Sequence, residues 1–189
     1  MSHKTAQLNE AQDSILLLID IQQKLASAMS DDDKQAVLQQ TEKLLTAATT
    51  LNVPVVVTEQ YPRGLGHTEQ ALQQHFNDDI SVVEKTCFSC FESDGFKQAI
   101  ESSQKRQVII TGMEAHICVL QTALDLQRAN FSVFVVEDAI ASRVESNKRN
   151  AIERLRQDGV IVTNTESVIF EWLRDAKHAH FKALSRLIV

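Results

Sequence analysis

Six short apolar runs, each followed by a longer segment with helical spacing, limit the folds that this chain can adopt. The runs are rich in β-branched residues, which favour strands, and they cover residues 14–21, 53–58, 80–83, 107–111, 131–137 and 160–162. Several are apolar at every position, as in the sequence ILLLI at residues 15–19, which is typical of parallel strands covered by helices on both faces. We therefore predict an α/β fold, a three-layer α/β/α sandwich around a six-stranded parallel sheet.

Length and composition indicate one compact domain. The chain has 189 residues, of which 43% are hydrophobic and only five are Gly and two are Pro, as in globular rather than disordered or fibrous proteins. No internal repeat, low-complexity tract or shift in composition marks a second domain. We predict a single domain over residues 1–189, with a polar N-terminal extension at 1–13 and a C-terminal helical tail at 166–189.

Charge and hydropathy argue against nucleic acid and membranes as partners. The chain has 19 Lys and Arg against 25 Asp and Glu, a net charge of −6, and no stretch gathers the basic residues into a stripe. The apolar runs are too short to cross a bilayer, and residues 1–13 lack the apolar core of a signal peptide. Three cysteines in a chain without such a signal argue against a disulfide framework. We expect a cytoplasmic protein that acts on a small molecule.

Three chemically capable side chains follow strands of the predicted sheet. Ligands of parallel α/β sheets bind beyond the carboxyl ends of the strands, where Asp20, Lys85 and Cys118 are expected. The start of a helix and the Lys85 ammonium would each lower the pKa of the Cys118 thiol, and Asp20 is placed to take its proton. The structural alternative is a capping Asp20, a solvated Lys85 and a Cys118 that acts as a small buried hydrophobe.

Five segments, in order along the chain, resemble the isochorismatase-like cysteine hydrolases. They are LLLIDIQQKL, VVVTEQYPRGLGHT, VEKTCFSCF, GMEAHICVLQTALDL and VVEDAIASR, and the tail SVIFEWLRDAKHAHFKALSRLI is similar to the subgroup of isochorismatase domain-containing proteins. The resemblance implies a Rossmann-like, isochorismatase-type fold and a catalytic triad of Asp20, Lys85 and Cys118. It also implies a cis peptide bond between Met113 and Glu114, and an oxyanion hole formed by the backbone N–H groups of Glu114 and Cys118.

The resemblance further implies the reaction. Cleavage of an amide or related C–N bond of a small molecule, through a thioester on Cys118, is the favoured reading, with Gln60, Tyr61 and Phe88 as candidate substrate-binding residues. Vinyl-ether hydrolysis of isochorismate and a non-catalytic binding module that keeps the pocket are the alternatives. Members of the family commonly associate, so a homo-oligomer is expected.

No cofactor or metal is expected. Nicotinamidases of the same superfamily hold a metal through an Asp-x-His pair after the second strand, where this chain has TEQY at residues 58–61. Cys87 and Cys90 form a C-x-x-C string, but no second pair completes a metal site. Pro or Gly, which normally separates the cysteines of a thioredoxin-type motif, is also missing, although a redox role of this pair stays open.

Overall fold

A computed structural model describes residues 8–188 of the chain. Its strands are β1 (Ser14–Ile19), β2 (Val55–Gln60), β3 (Ser81–Lys85), β4 (Gln107–Met113), β5 (Ser132–Ala141) and β6 (Ile161–Thr163). They form one sheet in the order β3-β2-β1-β4-β5-β6, and every neighbouring pair is parallel. The predicted six-stranded parallel sheet is confirmed, with β1 and β4 at its centre and β3 and β6 at its edges.

Helices lie on both sides of this sheet. Those of the described residues are α1 (Gln23–Ala26), α2 (Asp31–Leu51), α3 (Pro62–Leu65), α4 (Gln70–Gln73), α5 (Asp94–Ser103), α6 (Leu120–Arg128), α7 (Glu145–Gln157), α8 (Thr165–Leu173) and α9 (Phe181–Ser185). Helices α2 and α8 pack on one face, which we call the α2 face, and α5, α6 and α7 pack on the other, the α6 face. The predicted three-layer sandwich is thereby confirmed.

Alternating residues of the central strand supply the two halves of the core. Leu16 of β1 shares a buried cluster with Leu44 of α2, whereas Leu17 shares one with Leu126 of α6. Both side chains of β1 are completely buried, as the all-apolar run predicts. Burial on both faces holds β1 in place, so the residue that follows it has a well-defined position.

The two ends of the chain meet beside this core. Trp172 of α8 donates a hydrogen bond from Nε1 to Ser14 Oγ at 3.1 Å, and the Glu171 carboxylate accepts from Asn9 at 2.7 Å. Much of the predicted C-terminal tail therefore covers the protein's own sheet. Of the predicted polar extension, residues 1–7 lie outside the described residues, and Ala11–Asp13 form a 3-10 turn. No helix within residues 8–188 has the length and apolar character needed to span a membrane.

Candidate active site

Three of the side chains singled out in the sequence meet at the carboxyl ends of the strands. Asp20 directly follows β1, Lys85 is the last residue of β3, and Cys118 lies in the turn between β4 and α6. Lys85 Nζ is 2.6 Å from Asp20 Oδ2, and both side chains are completely buried. Cys118 is only 5% exposed, and its thiol lies within range of the charges on both groups. The structure thus gathers a carboxylate, an ammonium group and a thiol in one buried cluster.

A left-handed backbone at Asp20 directs its carboxylate toward the other two groups. Simple alternation along β1 would send residue 20 to the α2 face, together with Leu18. At Asp20 φ is +52°, so the strand ends and the side chain points instead toward the α6 face. There Thr58 Oγ1 donates a hydrogen bond to Asp20 Oδ1 at 2.7 Å. This conformation is also why β1 ends at Ile19, before the predicted end of the run.

Oxygen atoms enclose the Lys85 ammonium group. Besides Asp20, its Nζ donates to Gln60 Oε1 at 2.8 Å and to the backbone carbonyls of Cys87 at 3.2 Å and Phe88 at 3.5 Å. Burial by itself lowers the pKa of Lys85, but the Asp20 carboxylate, with the neighbouring thiols, outweighs this effect and the pKa is raised. Lys85 is therefore a fixed positive charge at neutral pH.

The backbone between β4 and α6 follows an unusual path to Cys118. Gly112 has φ of +132°, and a Cβ at that position would meet the carbonyl oxygen of Ile19 on the neighbouring strand. The Met113–Glu114 peptide bond is cis, and Ala115–Val119 form a π-helical turn before α6 begins. Such turns occur often at functional sites. Only glycine lets β4 approach β1 so closely, directly before the turn that carries the thiol.

The expectation of a lowered Cys118 pKa is wrong. Burial is the largest influence and raises the pKa of the Cys118 thiol, and the negative charge of Asp20 and a hydrogen bond to it raise the pKa further. Lys85 does lower this pKa, as expected, but its charge is already compensated by Asp20 at 2.6 Å. In the resting protein Cys118 is consequently a neutral thiol next to a carboxylate.

Sequence reasoning missed a hydroxyl and a second thiol beside Asp20. Thr58 is completely buried, and the Cys90 Sγ atom donates to its Oγ1 at 3.6 Å. The backbone N–H of Cys90 donates to Thr122 Oγ1 at 2.9 Å, which fixes the residue against α6. Burial, followed by the Asp20 charge, raises the pKa of Cys90 to about 12. The position of Thr58 at the end of the predicted second strand was the only sequence feature that pointed to the site. The C-x-x-C spacing gave no indication that Cys90 contacts Thr58.

The residue that follows the cis bond is anchored to the end of β5. Glu114 is 5% exposed, and its carboxylate accepts from the backbone N–H of Arg143 at 3.0 Å and from Arg143 Nε at 3.1 Å. Asp138, which lies within β5, instead accepts from the backbone N–H and hydroxyl of Thr165 at the start of α8. The segment from Glu137 to Arg143 thus holds neighbouring loops in place.

An open cavity of about 580 Å³ adjoins Lys85. Residues that line it include Tyr61, Pro62, Arg63, Glu84, Cys87 and Glu92. Glu84 and Glu92 contribute two carboxylates to this lining and Arg63 one guanidinium group, whereas the charge of Lys85 is paired with Asp20.

The three candidate substrate-binding residues occupy different places. Tyr61 lines the cavity with 55% of its surface exposed. The Gln60 side chain accepts from Lys85 Nζ through Oε1 and donates from Nε2 to the Thr86 carbonyl at 2.7 Å. The Phe88 side chain is 56% exposed, and its backbone carbonyl faces Lys85.

Buried polar residues on the α2 side of the sheet hold the loop at residues 61–68, which carries Tyr61 and Arg63 into the cavity. Glu59 accepts from the backbone N–H and hydroxyl of Thr68 at 2.7 and 2.8 Å, and pairs with His67 Nδ1 at 2.9 Å. The buried Gln22 side chain accepts from the backbone N–H of Gln60 at 2.7 Å and donates to the Gly66 carbonyl. Burial raises the pKa of Glu59, but hydrogen bonds from Thr68 and His67 outweigh it and the pKa is lowered; the bond to Glu59 raises the pKa of His67.

The predicted departure from the nicotinamidase metal pair concerns this same loop. Glu59 and His67 contact each other there, but no group of three His, Cys, Asp or Glu side chains between residues 8 and 188 is arranged to hold a metal ion. Cys87 and Cys90 are both free thiols.

The isochorismatase domain model matches residues 14–167 of the chain. A relative of similar length, isochorismatase family protein 1B of Dictyostelium discoideum, is 35% identical over 174 residues, which cover 90% of this chain and 84% of that protein. The identity extends over nearly the whole described fold.

Two solved structures share this fold over almost their full length. The MAR1 ribonuclease of Caenorhabditis elegans superposes with a TM-score of 0.90 at 33% identity, covering 96% of this chain and 92% of that one. The YcaC gene product of Escherichia coli, described as an octameric hydrolase of unknown specificity, superposes with a TM-score of 0.89 at 25% identity, covering 98% and 91%.

Proposed function

This chain belongs to the isochorismatase family of hydrolases, and on that basis we propose that it is a cysteine hydrolase that cleaves an amide or related C–N bond of a small molecule. The observation that carries the proposal is the completely buried Asp20–Lys85 ion pair beside the buried Cys118 thiol. Burial of ionised groups away from water costs free energy that their pairing must offset. Groups with strongly perturbed pKa values cluster at functional sites.

Cys118 is the nucleophile and Asp20 the general base. Because the resting thiol is neutral, Asp20 takes its proton as Sγ attacks the carbonyl carbon. The tetrahedral intermediate then collapses: the C–N bond breaks, the proton passes from Asp20 to the leaving nitrogen, and an acyl thioester remains on Cys118. Water, deprotonated by Asp20, attacks the thioester and releases the acid and the thiol.

Lys85 stabilises the negative charges that this cycle places on Asp20 and on the Cys118 sulfur. Its ammonium group holds Asp20 Oδ2 at 2.6 Å, so the carboxylate stays oriented without solvent. As negative charge develops on sulfur, the same ammonium group stabilises it, in line with its lowering effect on the Cys118 pKa. The backbone N–H groups of Glu114 and Cys118 supply the oxyanion hole, and the Glu114–Arg143 ion pair supports that backbone.

The charges around the cavity favour a small amide over the alternatives. Isochorismate is a dianion, and RNA, which the name of the Caenorhabditis elegans neighbour suggests, carries a charge on every phosphate. Glu84 and Glu92 against a single Arg63 oppose both, as does the net charge of −6. A neutral or cationic amide of a size that fits about 580 Å³ meets no such barrier.

A panel of small amides, isochorismate and RNA, assayed with the wild type and Cys118→Ala, tests this function. We expect hydrolysis of at least one amide, a mass shift on Cys118 equal to the acyl group, and loss of both in Cys118→Ala with an unchanged melting temperature. Cleavage of RNA or isochorismate alone would replace the amide assignment. Full activity of folded Cys118→Ala would exclude the thioester mechanism.

The active form is further proposed to be a homo-oligomer. The octameric state of the Escherichia coli neighbour supports this, together with the family membership. Light scattering after size exclusion tests it, and a mass of 21.2 kDa, that of one chain, would contradict it.

A further inference from the structure

A buried hydrogen-bond chain ends on the carboxylate that serves as base. The Cys90 thiol donates to Thr58 Oγ1 at 3.6 Å, and the Thr58 hydroxyl donates to Asp20 Oδ1 at 2.7 Å. All three residues are completely buried, so these hydrogen bonds are shielded from bulk water. Neither Thr58 nor Cys90 takes part in the bond-making and bond-breaking steps of the proposed reaction.

The direction of these bonds is set by what each group can donate. A hydroxyl has one proton and two lone pairs, so Thr58 can give its proton to only one partner. The Cys90 thiol keeps its own proton, since burial raises its pKa to about 12, and it therefore approaches Thr58 as a donor. One lone pair of Thr58 Oγ1 accepts the Cys90 proton, and the Thr58 hydroxyl donates its own proton to Asp20.

The two oxygens of Asp20 are consequently held from two sides. Lys85 takes Oδ2 at 2.6 Å, and Thr58 takes Oδ1 at 2.7 Å. One contact alone lets a carboxylate rotate about it, but two fix the plane of the group. A base must lie within hydrogen-bond reach of the proton it removes, so the orientation of Asp20 toward Cys118 depends on both contacts.

We infer that Thr58, itself oriented by Cys90, is a positioning residue that aligns Asp20 for deprotonation of Cys118. The inference rests on the proposed function of Asp20 and Cys118. It gives the second cysteine of the C-x-x-C string a task that needs neither a metal nor a redox change.

The chain contains a matched control for this inference. Thr58 and Thr111 lie on the two strands that flank β1, where they pair with Ile19 and Leu18. Both are completely buried, but Thr111 Oγ1 has no hydrogen-bond partner among the described residues, and Ile109 and Met113, two positions away on either side along β4, belong to the α2 face. Thr111→Val therefore removes a buried threonine hydroxyl without touching the cluster.

The test is the rate of Cys118 alkylation by iodoacetamide across pH, followed by mass spectrometry. Thr58→Val keeps the shape of the side chain, and loss of a hydrogen bond to a charged group predicts alkylation about 10-fold slower at neutral pH. The rise of the rate with pH should move to higher pH. Thr58→Ser should restore both, and Thr111→Val should match the wild type.

Cys90→Ala supplies a second and independent variant. Because Cys90 acts through Thr58, its removal should slow alkylation less than Thr58→Val does, and should add nothing in the Thr58→Val background. Additive effects, or a wild-type rate and pH profile in folded Thr58→Val, would overturn the positioning role while leaving Cys118 as nucleophile. An equal loss in Thr111→Val would do the same. If folded Asp20→Asn keeps wild-type amide hydrolysis and wild-type acylation of Cys118, the proposed function fails, and the inference fails with it.

Discussion

Asp20 and Glu59 are two buried carboxylates near the carboxyl ends of neighbouring strands, β1 and β2, and their surroundings differ sharply. Asp20 is 0% exposed and pairs with the completely buried Lys85 ammonium, whereas Glu59 is 4% exposed and pairs with His67, whose side chain is 69% exposed. Asp20 faces the α6 side with a thiol next to it. Glu59 faces the α2 side, with its oxygens occupied by Thr68 and His67.

This difference matches the two roles that we propose. In the proposed function, the carboxylate with a buried cation as its partner and a thiol as its neighbour moves a proton. A carboxylate whose oxygens accept from a loop's own backbone and side chains holds that loop in place. The identity of the partners and their access to water distinguish the two sites.

Replacement of Asp20 by Asn should give the largest effect. Asn cannot accept a proton, so hydrolysis and acylation of Cys118 should fall by about 10²–10⁴-fold. Glu59→Gln, the same change in the other carboxylate, should leave kcat close to wild type. Steady-state kinetics on the amide identified from the panel measures both. Equal losses in the two variants would erase the proposed division.

Loss of the cation should come next and should appear as instability. Lys85→Met leaves Asp20 as an unpaired buried charge, which typically costs about 3–5 kcal/mol of unfolding free energy. Urea unfolding measures this cost. Asp20→Asn combined with Lys85→Met should recover most of it, because no uncompensated charge remains. The corresponding exposed pair, Arg156 and Glu137, should lose less than about 1 kcal/mol on removal of either partner.

Truncation of the supporting carboxylate should have a moderate effect of a different kind. Glu59→Ala leaves the backbone N–H of Thr68 without its acceptor and loosens the loop that carries Tyr61 and Arg63 into the cavity. We expect KM to rise several-fold while kcat changes much less. Glu137→Ala, a surface carboxylate, is the control. A fall in kcat with constant KM would place Glu59 in the chemistry after all.

The smallest effect should be a pH dependence of stability from the Glu59–His67 pair. The pKa of His67 is raised, so its contribution is complete below the ordinary value of 6.5 and is lost as pH rises through the raised value. The pKa of Glu59 is lowered, so its contribution is complete above 4.5 and is lost on acidification through the lowered value. His67→Gln should lower the melting temperature most between pH 4.5 and 6.5 and progressively less above that range. A constant difference at every pH would show that the ion pair contributes nothing.

Strand periodicity predicted the fold because burial on both faces leaves an unambiguous pattern. The all-apolar β1 could only be a central parallel strand, and the ends of such strands indicated where Asp20 and Lys85 would lie. Their meeting was predictable to that extent. The roles of Asp20, Lys85 and Cys118 in the reaction stay predictions.

Other features depend on three-dimensional detail that a pattern does not carry. The left-handed φ of Asp20 reverses the face expected from alternation. The pKa of Cys118 moves opposite to the expected direction, because the sequence shows a nearby Lys85 but not the burial that outweighs it. The contact between Cys90 and Thr58 joins residues distant along the chain, so spacing could not reveal it.

Lys85 is the last residue of an edge strand, and we expect this position to limit the stability of the site on heating. β3 has a neighbour on only one side, and Ser81, Val82 and Glu84 of this strand are exposed, whereas β1 is buried throughout. Regions with few buried contacts open locally at far lower free energy than the core. Fraying of this edge would remove the cation from Asp20 while the rest of the sheet stays intact. We therefore expect loss of activity on heating to follow local opening of β3, as reported by hydrogen exchange of its amides, rather than the global melting temperature.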